Sequence, residues 1–225
     1  MERKRTPIPI DVTFFQKEHE QGHNYSVRET FLKIYNSNHW NSEKSASGPG
    51  SDDVQTAEIQ QVLPGLNNLL SVKTFLDLPC GDCNWMSHVD LGVDRYIGGD
   101  IIPDIITKNQ SKFEDDTHHF QVLDIINDPL PDADLLLCRD CLVHLSNADI
   151  KKALDNIRVN NITYLLTTTF TDCKENADII TGDWRIINLE RPPFSLPAPM
   201  LIINEHCTEG NGTYSDKSLG LWKLK

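Results

Sequence analysis

Three aspartates stand at the ends of three successive apolar runs: Asp77 after Phe75-Leu76, Asp100 after Tyr96 to Gly99, and Asp124 after Phe120 to Leu123. If those runs are neighbouring parallel strands, a ligand lying beyond their carboxyl ends meets all three. The first aspartate opens the tight turn Leu78-Pro79-Cys80-Gly81-Asp82, in which Gly81 lets the backbone approach a ligand closely. That turn lacks the G-x-G-x-x-G of a dinucleotide site, since it holds one glycine and Asn84 occupies the place of a third small residue. The carboxylates of Asp77 and Asp82 make a pyrophosphate unwelcome and suit an amino-acid ammonium or a sulfonium. Asp100 follows Gly81 by nineteen positions, about the spacing of an acid that accepts hydrogen bonds from both ribose hydroxyls. Asp124 can accept from an adenine exocyclic amine while Ile125 packs on the ring. A nucleoside is implied.

A fourth run ends in Cys138-Arg139-Asp140-Cys141-Leu142-Val143-His144-Leu145, which gathers ionisable groups where a reacting substrate would lie. The pairs Cys80/Cys83 and Cys138/Cys141 leave a four-thiolate zinc site open, although the two β-α units between them are not zinc-ribbon spacing. Buried or pocket-lining thiols are the plainer reading, and no metal is expected. The eight histidines form no ligand string, and His118-His119 read as a loop entering a strand.

The elements that must position these groups can be read from periodicity. Short apolar runs at Thr74 to Leu78, Tyr96 to Asp100, Phe120 to Leu123, Asp134 to Cys138 and Tyr164 to Thr168 predict buried parallel strands. Helices are predicted between them at Cys83 to Val89, Pro103 to Phe113 and Asn147 to Arg158, the last capped by Ser146. Repeated β-α units imply an α/β, doubly wound sheet. Met200 to Asn204 and Leu219 to Leu224 read as two more strands, forming an antiparallel end. Upstream, Val27, Phe31, Leu32, Ile34 and Tyr35 fit one face of a lid-like helix after a Ser26 cap, and Ser51 is placed to cap a helix reaching about Leu63. Trp184-Arg185 and the Pro-rich stretch Glu190 to Pro199 predict an irregular segment, either shaping an acceptor pocket or packing on the surface. Glu205, at the end of a strand, is a further candidate for an acceptor contact. The organisation expected is a flexible N-terminal arm over residues 1–25, a helical lid over 26–70 and a catalytic domain over 71–225.

With 225 residues, 39% hydrophobic and 24% charged, the chain has room for one large domain. Its formal charge of −12 repels a phosphate backbone, so nucleic acid is a poor first choice of partner. No apolar run approaches the roughly 20 residues that span a bilayer, and Met1 to Pro9 is not a secretory signal. A soluble cytoplasmic protein with reduced cysteines is expected.

The motifs Ser47-Gly48-Pro49-Gly50-Ser51, Leu78-Pro79-Cys80-Gly81-Asp82-Cys83-Asn84-Trp85-Met86, Cys138 to Ser146 and Leu166-Thr167-Thr168-Thr169-Phe170 resemble a branch of the class I S-adenosylmethionine-dependent methyltransferases. The superfamily resemblance covers about residues 70–225, and the narrower match extends back to about residue 26. The family's usual first turn, acid-x-Gly-x-Gly-x-Gly, is altered by Pro79 and by Asp82-Cys83. The resemblance implies a Rossmann-like, seven-stranded, mostly parallel sheet with a reversed last strand. It implies S-adenosylmethionine as cofactor, S-adenosylhomocysteine as co-product and a small-molecule acceptor methylated on oxygen or nitrogen. Carried over by position, Asp77, Pro79, Cys80 and Gly81 face the methionine part, Asp100 with Ile101 the ribose, Asp124 and Ile125 the adenine, and Cys138 the sulfonium neighbourhood. Trp40 and Trp85 close over the methyl donor. Arg139 and the loop from Ser47 and Gly48 to Ser51 can bind a carboxylate. Asp140 or His144 is the nearest base, with Asp140 slightly preferred as a substrate contact. The alternatives left open are a cofactor-binding domain without catalysis and a zinc-stabilised interaction domain.

Overall fold

The computed structural model describes residues 11–225, so the charged stretch Glu2 to Arg5 lies outside the described residues. Seven strands form one sheet: β1 (Thr74–Asp77), β2 (Arg95–Asp100), β3 (His118–Val122), β4 (Ala133–Cys138), β5 (Ile162–Phe170), β6 (Leu201–Asn204) and β7 (Lys217–Lys223). Their order is β3-β2-β1-β4-β5-β7-β6, with β1 to β5 paired in parallel and β7 antiparallel to both β5 and β6. The seven-stranded, mostly parallel sheet with a reversed last strand is therefore observed.

Strand side chains alternate between faces, and both faces of this sheet are covered, which is why the strands read as continuous apolar runs. Phe75, Leu135, Leu137 and Leu166 pack in one core with α3 (Asp53–Leu70) and α4 (Pro103–Phe113). Leu76, Leu136 and Leu165 pack in the other with α5 (Asn147–Val159). Strand order reverses at β1, whose neighbours are β2 and β4, and this reversal opens a crevice at the carboxyl ends. Ahead of the sheet lies α2 (Val27–Ser37), started by a reciprocal cap in which Ser26 N–H donates to Glu29 Oε2 at 2.8 Å and Glu29 N–H to Ser26 Oγ at 3.3 Å.

Three local expectations differ from what is found. Between β1 and β2 the predicted helix Cys83 to Val89 is reduced to a single 3-10 turn, Met86–His88. Cys83 takes a left-handed φ of 53°, and α3 already covers that face with Ile59, Leu63 and Leu66 beside Trp85, Met86 and Leu91. Second, α3 begins after Asp52 rather than Ser51 and continues through Pro64 to Leu70. Buried Leu66, and Asn67 donating to the Leu91 carbonyl at 3.0 Å, hold the turns that proline alone would end. Third, the segment expected as an arm contains α1 (Phe14–Glu20) with Phe15 buried. Its first turn is capped from far away: Asp183 accepts from Phe15 N at 2.7 Å and Gln16 N at 3.0 Å. The two Cys-x-x-Cys pairs sit in different cores, Cys80 and Cys83 with α3 and α4, Cys138 and Cys141 with α5. Among the described residues no helix is long and apolar enough to cross a membrane.

Candidate active site

Most of the residues singled out in the sequence line one cavity above the carboxyl ends of β1, β2 and β4. Its floor is the turn after β1. Asp77 is buried and accepts from the Tyr96 hydroxyl at 2.8 Å, and burial pushes its carboxyl up to about 7. Asp100 accepts from Gly81 N at 3.2 Å and Ile102 N at 2.9 Å, and burial pushes it up to about 6. Each oxygen of Asp100 thus takes one backbone donor and keeps acceptor capacity. Pro79 and Cys80 follow Asp77 along the floor, and Gly81 carries a φ of 54° where a side chain would strike Ser47 Oγ.

Ser47 reaches that position because Asp82 holds its loop. Asp82 accepts from Ser45 Oγ at 2.8 Å and from Ala46 N at 2.6 Å, and Ser47 N donates back to Ser45 Oγ at 3.0 Å. The far wall is apolar, built by Ile101, Ile102, Leu123 and Ile125, with Phe31 and Tyr35 of α2 across from them. Asp124 stands beside it, its oxygens accepting from Ile126 N and Asn127 Nδ2, both at 2.8 Å. Trp85 completes the wall near Arg139, whose guanidinium carbon is 5.9 Å from the Trp85 ring centroid.

Gly48, Cys138 and Glu205 are exceptions. Gly48 faces a second cavity. Glu205 is buried against Arg139 and lines neither cavity. Cys138 is fully buried and lines neither cavity, because strand alternation turns it into the α5 core, leaving Arg139, Asp140 and Cys141 on the rim. The expected contact of Cys138 with the sulfonium neighbourhood is therefore not what the side chain offers.

The second cavity is bounded by Trp40, Gly48, Phe170, Trp184, Glu209 and Lys217, among others. It shares Trp40, Ser47, Asp140 and His144 with the first, so the two spaces meet at those four side chains. Trp40 lies against His144 with ring centroids 4.8 Å apart. His144 Nδ1 is 3.1 Å from the Asp183 carbonyl, which can only accept, so the proton sits on Nδ1 and Nε2 is left as an acceptor. Burial pushes the His144 imidazole down to about 4, so it is neutral near pH 7.

Arg139, expected to grip a ligand carboxylate, instead points its fork at Glu205, with Nη2 at 2.7 Å and Nε at 3.2 Å from Oε2. Lys217 Nζ donates to Asp140 Oδ2 at 2.6 Å. Although burial opposes it, Lys217 and Arg139 hold the Asp140 carboxyl well below the usual range, so it is ionised near neutral pH and a weak proton acceptor. Lys217 was not singled out in the sequence. The one available signal was a lysine opening the apolar run Ser218 to Trp222, where a charge must be paired to be buried. The prolines of Glu190 to Pro199 line neither cavity. Among the described residues, no group of three or more His, Cys, Asp or Glu is arranged to hold a metal ion.

No protein-family model matches the chain, and no curated protein matches it. Solved structures do. Human N-acetylserotonin methyltransferase in complex with SAM superposes with a TM-score of 0.57 at 16% identity, over 92% of this chain and 64% of that one. The chain thus spans under two thirds of that enzyme's length. An S-adenosylmethionine-dependent methyltransferase from Clostridium acetobutylicum gives 0.55 at 12% identity, over 75% of this chain and 91% of that one. The N-methyltransferase NodS from Bradyrhizobium japonicum gives 0.53 at 13%, over 77% and 98%. With this strand order, the reversed β7 and these superpositions, the chain has the fold of the class I S-adenosylmethionine-dependent methyltransferases.

Proposed function

We propose that the protein is an S-adenosylmethionine-dependent methyltransferase acting on an oxygen or nitrogen of a small-molecule acceptor. The observation that carries this reading is the meeting of two cavities at Trp40, Ser47, Asp140 and His144. The residues of the first cavity fit the cofactor. Asp100 has acceptor capacity for ribose hydroxyls, Ile125 and Leu123 offer an apolar seat for adenine, and Asp77 with the Gly81 turn suits an ammonium. S-adenosylmethionine supplies an electrophilic methyl on a sulfonium centre and leaves as a neutral thioether.

What the chain itself contributes is binding, alignment, exclusion of water and one proton acceptor. The loop latched by Asp82 and the α2 side chains cover the first cavity. Asp140 orients the acceptor, and His144 Nε2 takes the proton its reacting atom gives up, while the Asp183 carbonyl fixes the tautomer. The human and Bradyrhizobium neighbours, by name an N-acetylserotonin methyltransferase and an N-methyltransferase, support a small acceptor.

The test is calorimetric titration of S-adenosylhomocysteine and S-adenosylmethionine into the wild type and Asp100→Ala. Micromolar binding lost in Asp100→Ala is the expected result. Absence of binding to a folded wild-type protein would sink the reading.

A further inference from the structure

Rings and an unbalanced set of charges line the second cavity. Trp184 and Tyr214 meet edge to face with centroids 5.1 Å apart, and Phe170 stands 6.3 Å and 6.2 Å from them. The 3-10 turn Glu209–Gly212 is seated on Tyr214, since a side chain at Gly210 would come within 2.9 Å of that ring. Glu209, in the same turn, lines the cavity with Trp184 and Tyr214. Asp140 Oδ2, Glu209 Oε2 and Lys217 Nζ converge, lying 3.2, 3.6 and 3.8 Å from the point where a side chain on Gly50 would begin.

The cations here are already engaged. Arg139 pairs with Glu205 at 2.7 Å and Asp140 at 3.3 Å, and Lys217 pairs with Asp140 at 2.6 Å and Glu205 at 3.5 Å. Three carboxylates, Asp140, Glu205 and Glu209, face these two cations, leaving one negative charge in excess. Glu209 forms no ion pair among the described residues, its partner being the Cys207 thiol at 3.8 Å. Buried Glu205 Oε1 has no hydrogen-bond partner among the described residues. An anionic ligand would have to compete for cations whose carboxylate partners are buried, which is unfavourable. A cationic ligand supplies the missing charge and finds ring faces that attract it.

We infer that the acceptor carries an organic cation, such as an ammonium, on a flat apolar body. The cation lies between Glu209 and the Trp184–Tyr214 pair, and the atom to be methylated lies at the junction with Asp140 and His144. That the ligand is a methyl acceptor rests on the proposed transferase activity; that the cavity prefers a cation does not.

The experiment titrates 2-phenylethylamine, 2-phenylethanol and 3-phenylpropionate into wild type, Glu209→Gln and Tyr214→Leu at neutral pH. Binding is read by saturation-transfer NMR and tryptophan fluorescence, with and without S-adenosylhomocysteine. The amine is expected to bind roughly tenfold tighter than the alcohol, the scale of one charge contact with a ring face, and the carboxylate more weakly still. Glu209→Gln should bring the amine down to the alcohol, and Tyr214→Leu should weaken the amine more than the alcohol, with S-adenosylhomocysteine affinity unchanged in both. Equal binding of the three probes, tighter binding of the carboxylate, no binding of the amine, or an amine preference that survives Glu209→Gln overturns the inference. If S-adenosylhomocysteine fails to bind while the amine preference holds, the transferase reading falls and the cation site stands.

Discussion

Asp77 and Asp100 place two carboxyls in an apolar floor, where burial raises them to about 7 and about 6. An ammonium beside Asp77, or hydroxyls donating to Asp100, favours the ionised form. Cofactor binding should therefore strengthen as pH rises through these values and should release protons. Calorimetry in buffers of different ionisation enthalpy checks this, and proton uptake on binding would contradict it. Without ligand the same shifts act on stability in the opposite sense. A carboxyl that holds its proton better in the fold than in the unfolded chain lowers stability as pH rises from about 3.8 to about 7. His144 carries the reverse sign: its folded value of about 4 means that stability is gained as pH rises towards 6.5. As the proposed proton acceptor, His144 should matter to turnover and not to the cofactor. His144→Ala is expected to lower kcat by about 10²–10⁴-fold. S-adenosylhomocysteine affinity should stay within about twofold, a change too small to register as a lost contact.

The first helix owes its place to a residue near the other end of the chain. Asp183 caps α1 through Phe15 and Gln16, Trp184 N donates to the Val12 carbonyl at 3.3 Å, and the Asp183 carbonyl orients His144. Asp183→Ala should remove about 1–2 kcal/mol of capping and speed hydrogen exchange across Phe14–Glu20 more than in the sheet. Uniform exchange in the two proteins would show that Phe15 alone anchors the helix. Elements closed by local chemistry were legible in the sequence: the Ser26 cap of α2 and the Ser146 cap of α5 need only a few neighbouring residues. Elements closed at a distance were not. Nothing within residues 11–25 reveals a cap supplied by Asp183, and nothing near Pro64 reveals that Leu66 and Asn67 will be buried beyond it.

Arg139, Glu205, Asp140 and Lys217 tie the end of β4 to the end of β6 and the start of β7 through one cluster of buried charge. Glu205 makes the shortest contact to the buried Arg139 guanidinium, at 2.7 Å, and replacing it strips that cation of its closest partner. Glu205→Gln is expected to destabilise the protein by about 3–5 kcal/mol. At about 2–4 °C per kcal/mol for a chain of this size, Tm should fall by roughly ten degrees, measurable by calorimetry together with urea unfolding. A change below about 1 kcal/mol would mean that Asp140 alone balances both cations.

The sequence by itself determined the sheet and the edge where the candidate residues gather. Near-continuous apolar runs depend only on neighbours along the chain, and parallel order places Asp77, Asp100, Asp124 and the stretch after Cys138 at one edge. Tertiary structure alone decided what fills that edge. The latch of Ser45 and Ala46 on Asp82, the turning of Arg139 towards Glu205, the burial of Cys138 and the second cavity behind His144 all join residues from separate elements. Their energies come from desolvation and through-space pairing, and those quantities have no value until the chain has folded.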